Sequence, residues 1–323
     1  MSIAALKEGD RFTGICLIKK FEIKTAKNGK SYVDAVFGDK TGEISAKLWD
    51  VTMLANTAFA SGNIVRVSGS VERYNGSLQM TVTAMTEETN PTQEELDALV
   101  ETAPYPPAKM YEKIVTLLEQ IENKDIRQLA LSMFEEKKET LLYYPAAKSF
   151  HHAVKGGLLY HIYSMFRCAL PLLDVYDFMN KDLVYAGIAL HDLGKIEEMK
   201  SDGNGIVSEY TEEGKLLGHI ITTICQIETK AKELQTDASA VLLLKHMILS
   251  HHYHPEFGSP KTPMFAEAEL LHYLDILDSR MNQMKKTIDS VPPGAFAERV
   301  WALDGRTIYH HKLDLQEDNN ESI

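Results

Sequence analysis

Apolar residues change their spacing once along this chain, and that change limits what it can fold into. From Arg11 to about Met85 they alternate with polar residues in five short runs: RFTGICLIKKFEIKT, SYVDAVFGD, EISAKLWD, NIVRVSGSVERY and SLQMTVTAM. Residues two apart share one face of a strand, so each run reads as a half-buried strand. Turn signals divide them at Lys27-Asn28-Gly29-Lys30, Asp39-Lys40-Thr41-Gly42 and Tyr74-Asn75-Gly76-Ser77. Five strands of this length predict a small all-β barrel of the OB type, with a Greek-key sandwich as the competing arrangement.

Beyond Pro107 the spacing becomes helical, over 109–122, 124–141, 153–174, 180–193, 212–234, 237–253 and 266–288. These segments predict a mostly α bundle. Between the two regions, EETNPTQEELDALVETAPYPP is acidic and proline-bearing, with one short helix. The expected organisation is a barrel over 1–88, a linker over 89–108, a helical domain over 109–312 and an acidic tail over 313–323.

Charge narrows the partners. The 323 residues carry a net charge of −12, yet residues 1–90 hold 11 Lys and Arg against 10 Asp and Glu. Contact with a polyanion is therefore expected at the barrel, or locally with the help of a metal. No apolar run has the length of a membrane span, and the N-terminus lacks a signal peptide's pattern. Cys16, Cys168 and Cys225 follow no disulfide or metal spacing, so a reduced, cytoplasmic protein without a membrane partner is expected.

The helical region also carries ionisable residues on apolar faces. LHDLGK places His191 and Asp192 at the end of the apolar run LVYAGIAL, and His161, His219, His251 and Asp278 sit in comparable settings. Successive intervals are 30, 28, 32 and 27 residues, about one helix out and one back, so these groups can return to one level of an antiparallel bundle. In VLLLKHMILSHHYH, His251 falls on the face of Leu244, Met247 and Ile248, His252 on its edge and His246 nearly opposite. In ELLHYLDILDSRMNQM, Asp278 projects between Leu271 and Leu274, Asp275 at the margin and His272 outside. His251 and Asp278 are thus preferred, with His252 and Asp275 as second-choice ligands.

Buried, unpaired imidazoles and carboxylates are costly unless a cation makes them ligands. Mixed His/Asp ligation without thiolates suits Mn, Fe, Co, Ni or Zn. Gly194 is read as a helix stop, and Lys195, one turn past the ligands, can hold a phosphate oxygen.

The motifs GGLLYHIYSM, LHDLGK, LLGHI, LSHH and LDSRMN, in this order, resemble the HD-domain metal-dependent phosphohydrolases. With the strand-rich N-terminal module, the chain resembles the YhaM family of bacterial 3′→5′ exoribonucleases, which join an OB-fold to an HD domain. The resemblance implies a metal-dependent exonuclease acting on single-stranded RNA, with single-stranded DNA as a second candidate, and two Mn²⁺ as cofactors. It implies that His161, His191, Asp192 and Asp278 hold one metal, with Asp192 bridging, and that His219 and His251 complete a second site, assisted by His252. Asp192 and Lys195 are the expected catalytic residues. Expected substrate contacts are His151, His152 and Lys195 near the metals, and Lys24, Lys27, Lys30, Trp49 and Tyr74 on the barrel. A homo-oligomer is compatible with this reading. Two alternatives stand beside it: hydrolysis of a small nucleotide (a dNTP, cyclic nucleotide or alarmone), and a nonenzymatic nucleic-acid-binding module. No Ser or Cys nucleophile constellation and no GxxxxGK[ST] loop is present.

Overall fold

The computed structural model describes residues 2–26, 28–54, 59–147, 154–201, 203 and 205–313. The alternating runs become β1 (Arg11–Thr25), β2 (Ser31–Asp39), β3 (Gly42–Leu48), β4 (Ile64–Tyr74) and β5 (Ser77–Glu87). They close a barrel in the order β1-β2-β3-β5-β4. β1 makes closure possible. Its first half pairs with β4 and its second with β2, and an irregularity between Ile18 and Lys20 lets it turn from one to the other. Every second residue points inward, so Cys16, Ile18, Val33, Ala35, Phe37, Val65, Val67 and Met80 form the barrel core. This closure excludes the sandwich. Asn75 and Gly76 both take positive φ in the β4–β5 turn, the backbone that an Asn-Gly hairpin turn requires.

A short helix α1 (Gln93–Leu99), started by a reciprocal Thr92–Glu95 capping box, connects the barrel to the helical domain. That domain comprises α2 (Pro107–Glu119), α3 (Lys124–Glu136), α4 (Lys138–Leu141), α5 (Gly157–Val175), α6 (Lys181–Leu190), α7 (Lys195–Glu198), α8 (Glu212–Leu216), α9 (Gly218–Leu234), α10 (Ala238–Ser250) and α11 (Ala266–Asp289). The expected helix 124–141 is interrupted at Lys137. The expected helix 212–234 breaks where Gly218 adopts φ +70°. A small hairpin of β6 (Met199–Ser201) and β7 (Val207–Tyr210) is additional, its strands too short to show a period. No helix among the described residues is long and apolar enough to cross a membrane.

α6 is buried on every side from Leu183 to Leu190 and forms the centre of the domain. Around it pack Ile162 and Phe166 of α5, Leu244 and Ile248 of α10, and Leu271 and Leu274 of α11. His191 and Asp192 are therefore carried to the end of a core helix, where the neighbouring helices can reach them.

Gly194 sets the spacing at that end. Its amide donates to Thr223 Oγ1 of α9 at 3.0 Å. A Cβ here would collide with the His219 carbonyl oxygen and lie 2.6 Å from Thr223 Oγ1. The α6 helix ends before Gly194, whose φ of −63° is ordinary, so the glycine serves close approach rather than a left-handed helix stop. Gly194→Ala is expected to cost about 1–3 kcal/mol, measured as a lower urea midpoint. Gly203→Ala, with nothing within 4 Å of its Cβ position, serves as the control; equal midpoints for the two variants would rule out the close-approach account.

Candidate metal centre

His161 comes from the first half of α5, His191 and Asp192 from just past α6, His219 from the start of α9, His251 and His252 from just past α10, and Asp275 and Asp278 from the middle of α11. The first five of these side chains are all buried.

Five histidines share one orientation device. Nδ1 of His191 donates to the Ile188 carbonyl at 2.9 Å, that of His251 to Ile248 at 2.7 Å and that of His252 to Phe257 at 2.7 Å. Nδ1 of His219 meets Glu198 Oε1 at 3.2 Å, and Nδ1 of His161 meets Asp278 Oδ2 at 2.6 Å. Carbonyl and carboxylate oxygens only accept, so each Nδ1 carries the proton and Nε2 is the coordinating end.

Four of those Nε2 atoms surround Asp192. Its Oδ2 lies 3.3 Å from His191 Nε2 and 3.7 Å from His161 Nε2, while its Oδ1 lies 3.4 Å from His219 Nε2 and 4.0 Å from His251 Nε2. One carboxylate thus divides its two oxygens between two histidine groups. Donor atoms of His161, His191 and Asp192 fall within 4.8 Å of one another, as do those of His219, His251 and His252.

Asp192 Oδ1, His219 Nε2 and His251 Nε2 are buried without a hydrogen-bond partner. Each such atom costs about 1–3 kcal/mol of unrecovered solvation, and here all three converge. A divalent cation would satisfy them together, and a donor set of imidazoles and carboxylates without thiolate fits one. The local electrostatics agree. Burial disfavours a charged His161, yet Asp275 and Asp278 on either side raise its pKa to about 10, so the pocket favours positive charge. Burial likewise opposes charge on Asp192, but Lys195, His191 and His219 hold its pKa well below the usual carboxylate range. Burial drives His251 far towards the neutral, ligand-competent form.

The two α11 aspartates are arranged opposite to the helical-wheel preference. Asp275 Oδ1 lies 3.4 Å from His161 Nε2, on the side shared with Asp192, and its Oδ2 is 3.9 Å from His252 Nε2. Asp278 occupies the Nδ1 side of His161, behind the ring. His252 joins the cluster beside His251. His272, placed outside by the wheel, is buried and donates to the His251 carbonyl at 2.7 Å.

Lys195 is buried, with Nζ 2.7 Å from Asp192 Oδ2. Burial disfavours its charge, but Asp192 outweighs this and raises its pKa, so it remains an ammonium. Glu198, unnoticed in the sequence, accepts from both the His219 backbone amide and Nδ1 at 3.2 Å. Its one signal in the sequence is position, one helical turn past Lys195; Gly214 packs directly on its backbone.

On the barrel, Trp49 is 55% exposed and packs on Tyr32 with ring centroids 4.9 Å apart, while Lys47 Nζ sits 5.0 Å from the Tyr32 ring centre. Lys24 joins this face through ion pairs with Glu22 and Asp34. Lys30 is exposed at the neighbouring turn. Tyr74 is also exposed, but the β3–β5 register places it towards the opposite end of the barrel from Trp49. Phe37 belongs to the core. Lys27, His151 and His152 lie outside the described residues.

Residues 18–88 match the family model of an OB-fold nucleic acid binding domain, and residues 158–280 match the HD domain. The chain is 38% identical over 301 residues to the 3′-5′ exoribonuclease YhaM of Bacillus subtilis, covering 93% of this chain and 95% of that protein. It is 39% identical over 311 residues to the protein of the same name from Shouchella clausii, covering 95% and 97%. With both modules in the same order and the similarity running nearly end to end, the chain belongs to the YhaM family of 3′-5′ exoribonucleases.

Proposed function

We propose that this protein is a metal-dependent 3′→5′ exoribonuclease that removes mononucleotides from single-stranded RNA by hydrolysis. The observation that carries this reading is the convergence of five Nε2 atoms and two carboxylates at the end of α6, three of their atoms buried without a partner.

His161, His191, Asp192 and Asp275 would hold one divalent cation, and His219, His251 and His252, with Asp192 as the bridge, a second. Mn²⁺ is our choice among the metals this donor set accepts. Bound cations supply the Lewis acidity that makes water a nucleophile near neutral pH and offsets charge on the scissile phosphate. The remaining work falls to the chain. Asp278 fixes the His161 ring from behind, and Glu198 does the same for His219. Lys195 keeps an ammonium beside Asp192, placed to neutralise a nonbridging phosphate oxygen as charge develops there. Water adds to phosphorus as the bond to the upstream nucleotide breaks, and the 3′-terminal nucleotide departs. Tyr32, Trp49, Lys24 and Lys47 offer rings and charge for stacking and holding the strand, as OB-folds do. We assign the protein to the cytoplasm, where such transcripts are found.

With Mn²⁺, the protein should shorten a 5′-labelled single-stranded RNA one nucleotide at a time, and Asp192→Asn should abolish this while leaving the circular dichroism spectrum unchanged. An intact oligomer alongside hydrolysis of a dNTP or cyclic nucleotide would replace the exonuclease reading. The two aspartates separate by stoichiometry in metal titrations. Asp275→Asn should lose a tightly bound equivalent, whereas Asp278→Asn should retain both and bind about 10–100-fold more weakly. Glu198→Ala should weaken one Mn²⁺ by a similar factor, and Glu198→Gln, which keeps an acceptor for Nδ1, should recover most of it; equal losses in both variants would remove the orienting role.

A further inference from the structure

A cleft of about 770 Å³ lies where the barrel meets the helical domain. On one side it is lined by Lys19 and Lys20 of β1 and Lys40 of the β2–β3 turn, and on the other by Lys286 near the end of α11. The two domains touch beside it: a Cβ on Gly62 of the barrel would lie 2.8 Å from Ser208 Cα of β7. Lysines from two domains therefore face one space in a chain whose net charge is −12.

Four acids also line this cleft, and two of them are held by other groups. Asp39 accepts from the amides of Ile3, Thr41 and Gly42, and Asp289 pairs with Lys285 at 2.7 Å. Glu101 stands near Lys286, and Glu43 also lines the cleft. Lys20 pairs with Glu22 at 3.2 Å, while Lys19 and Lys40 form no ion pair among the described residues. Burial pushes the Lys286 pKa down; Glu101 pulls it back up and Lys19 adds to the fall. Lys19 and Lys286 thus line one cleft from the two sides of the domain junction.

α11 links this cleft to the metal centre. Asp275, Ser279, Asn282 and Lys286 fall within about 60° of arc on the helix and make one polar strip about 16 Å long. On the barrel side, Lys20, Glu22 and Lys24 are joined by ion pairs along β1, and Lys24 lies about 13 Å beyond Lys20, opposite Tyr32. The stacked Tyr32–Trp49 pair, the cleft and the metal centre are thus successive points on one polar path.

We infer that the interdomain cleft binds the phosphate backbone of single-stranded RNA upstream of the scissile bond, through Lys19, Lys20, Lys40 and Lys286, with the Asp275–Lys286 face of α11 guiding the 3′ end to the metals. The ligand class rests on the exoribonuclease reading above, and the site assigns a function to lysines that the metal centre does not use. It also gives an acidic protein a local set of cationic contacts for a polyanion, continuous with those of the barrel face.

The test is binding of a fluorescein-labelled oligouridylate to the full-length protein in EDTA, where hydrolysis is suppressed, over a range of salt. The triple variant Lys19→Gln, Lys20→Gln, Lys40→Gln should bind at least tenfold more weakly. Its slope of log K against log salt should fall by about two, since each phosphate contact on a single strand contributes about 0.7. Lys286→Gln should shift both quantities in the same direction. A control triple at exposed lysines outside the cleft, Lys124→Gln, Lys181→Gln, Lys232→Gln, removes the same charge and should leave the slope unchanged. Wild-type affinity and slope in the cleft triple, or equal losses in both triples, would overturn the site. Wild-type protein is assayed in parallel with Mn²⁺ and 5′-labelled RNA. Absence of shortening there, with the binding losses intact, would remove the nuclease reading and keep the cleft.

Discussion

The carboxylate of Asp192 is almost sealed from water at the end of a helix that is itself buried on all sides. Ionised groups in such a place must be compensated locally, and the surrounding architecture can be understood as that compensation. Lys195 supplies charge to one oxygen, while the neighbouring His191 and imidazoles from three other segments of chain turn their Nε2 atoms towards one oxygen or the other. None of these rings is free to rotate away, because each Nδ1 is tied to an oxygen that can only accept. The oxygens come from carbonyls near helix ends in two cases and from carboxylates in two. Preorganisation of this kind is what a site needs if it is to concentrate cations without collapsing on itself.

The same economy appears in the backbone. Gly194 lets the turn after α6 rest directly on α9, and Gly214 lets α8 rest on the end of α7. The first contact brings His219 to Asp192 and the second helps present Glu198 to His219. A side chain at either glycine would separate elements whose ionisable groups must meet within a few ångströms. Packing and electrostatics at this site are therefore one problem, solved by the approach of main chains.

The acidic balance of the chain constrains how it meets RNA. A protein of net charge −12 does not attract a polyanion through its overall charge, so attraction has to be local. The barrel supplies rings on an outward face and the domain junction supplies lysines, while the metal centre sits beyond them along α11. Such a layout separates holding the strand from cutting it.

The alternation from Arg11 to Met85 and the helical spacing after Pro107 were enough to place the barrel and the bundle, because side-chain periodicity is a local property that survives folding. Intervals near 30 residues were enough to predict that His161, His191, Asp192, His219 and His251 could meet. Other features were not legible. A helical wheel gives direction only to within a fraction of a turn, so it could not tell that Asp275 faces Nε2 of His161 while Asp278 stands behind the ring. The hairpin of β6 and β7 was too short to carry a period. Glu198 acts through a partner 21 residues away, and Lys286 shares a cleft with Lys19 across a domain junction. Local sequence thus determined which elements form and which chemical groups they carry. Rotation of α11, the choice of imidazole nitrogen and the cleft between the domains were decided only by tertiary packing, since each depends on distances between segments that are remote in the chain.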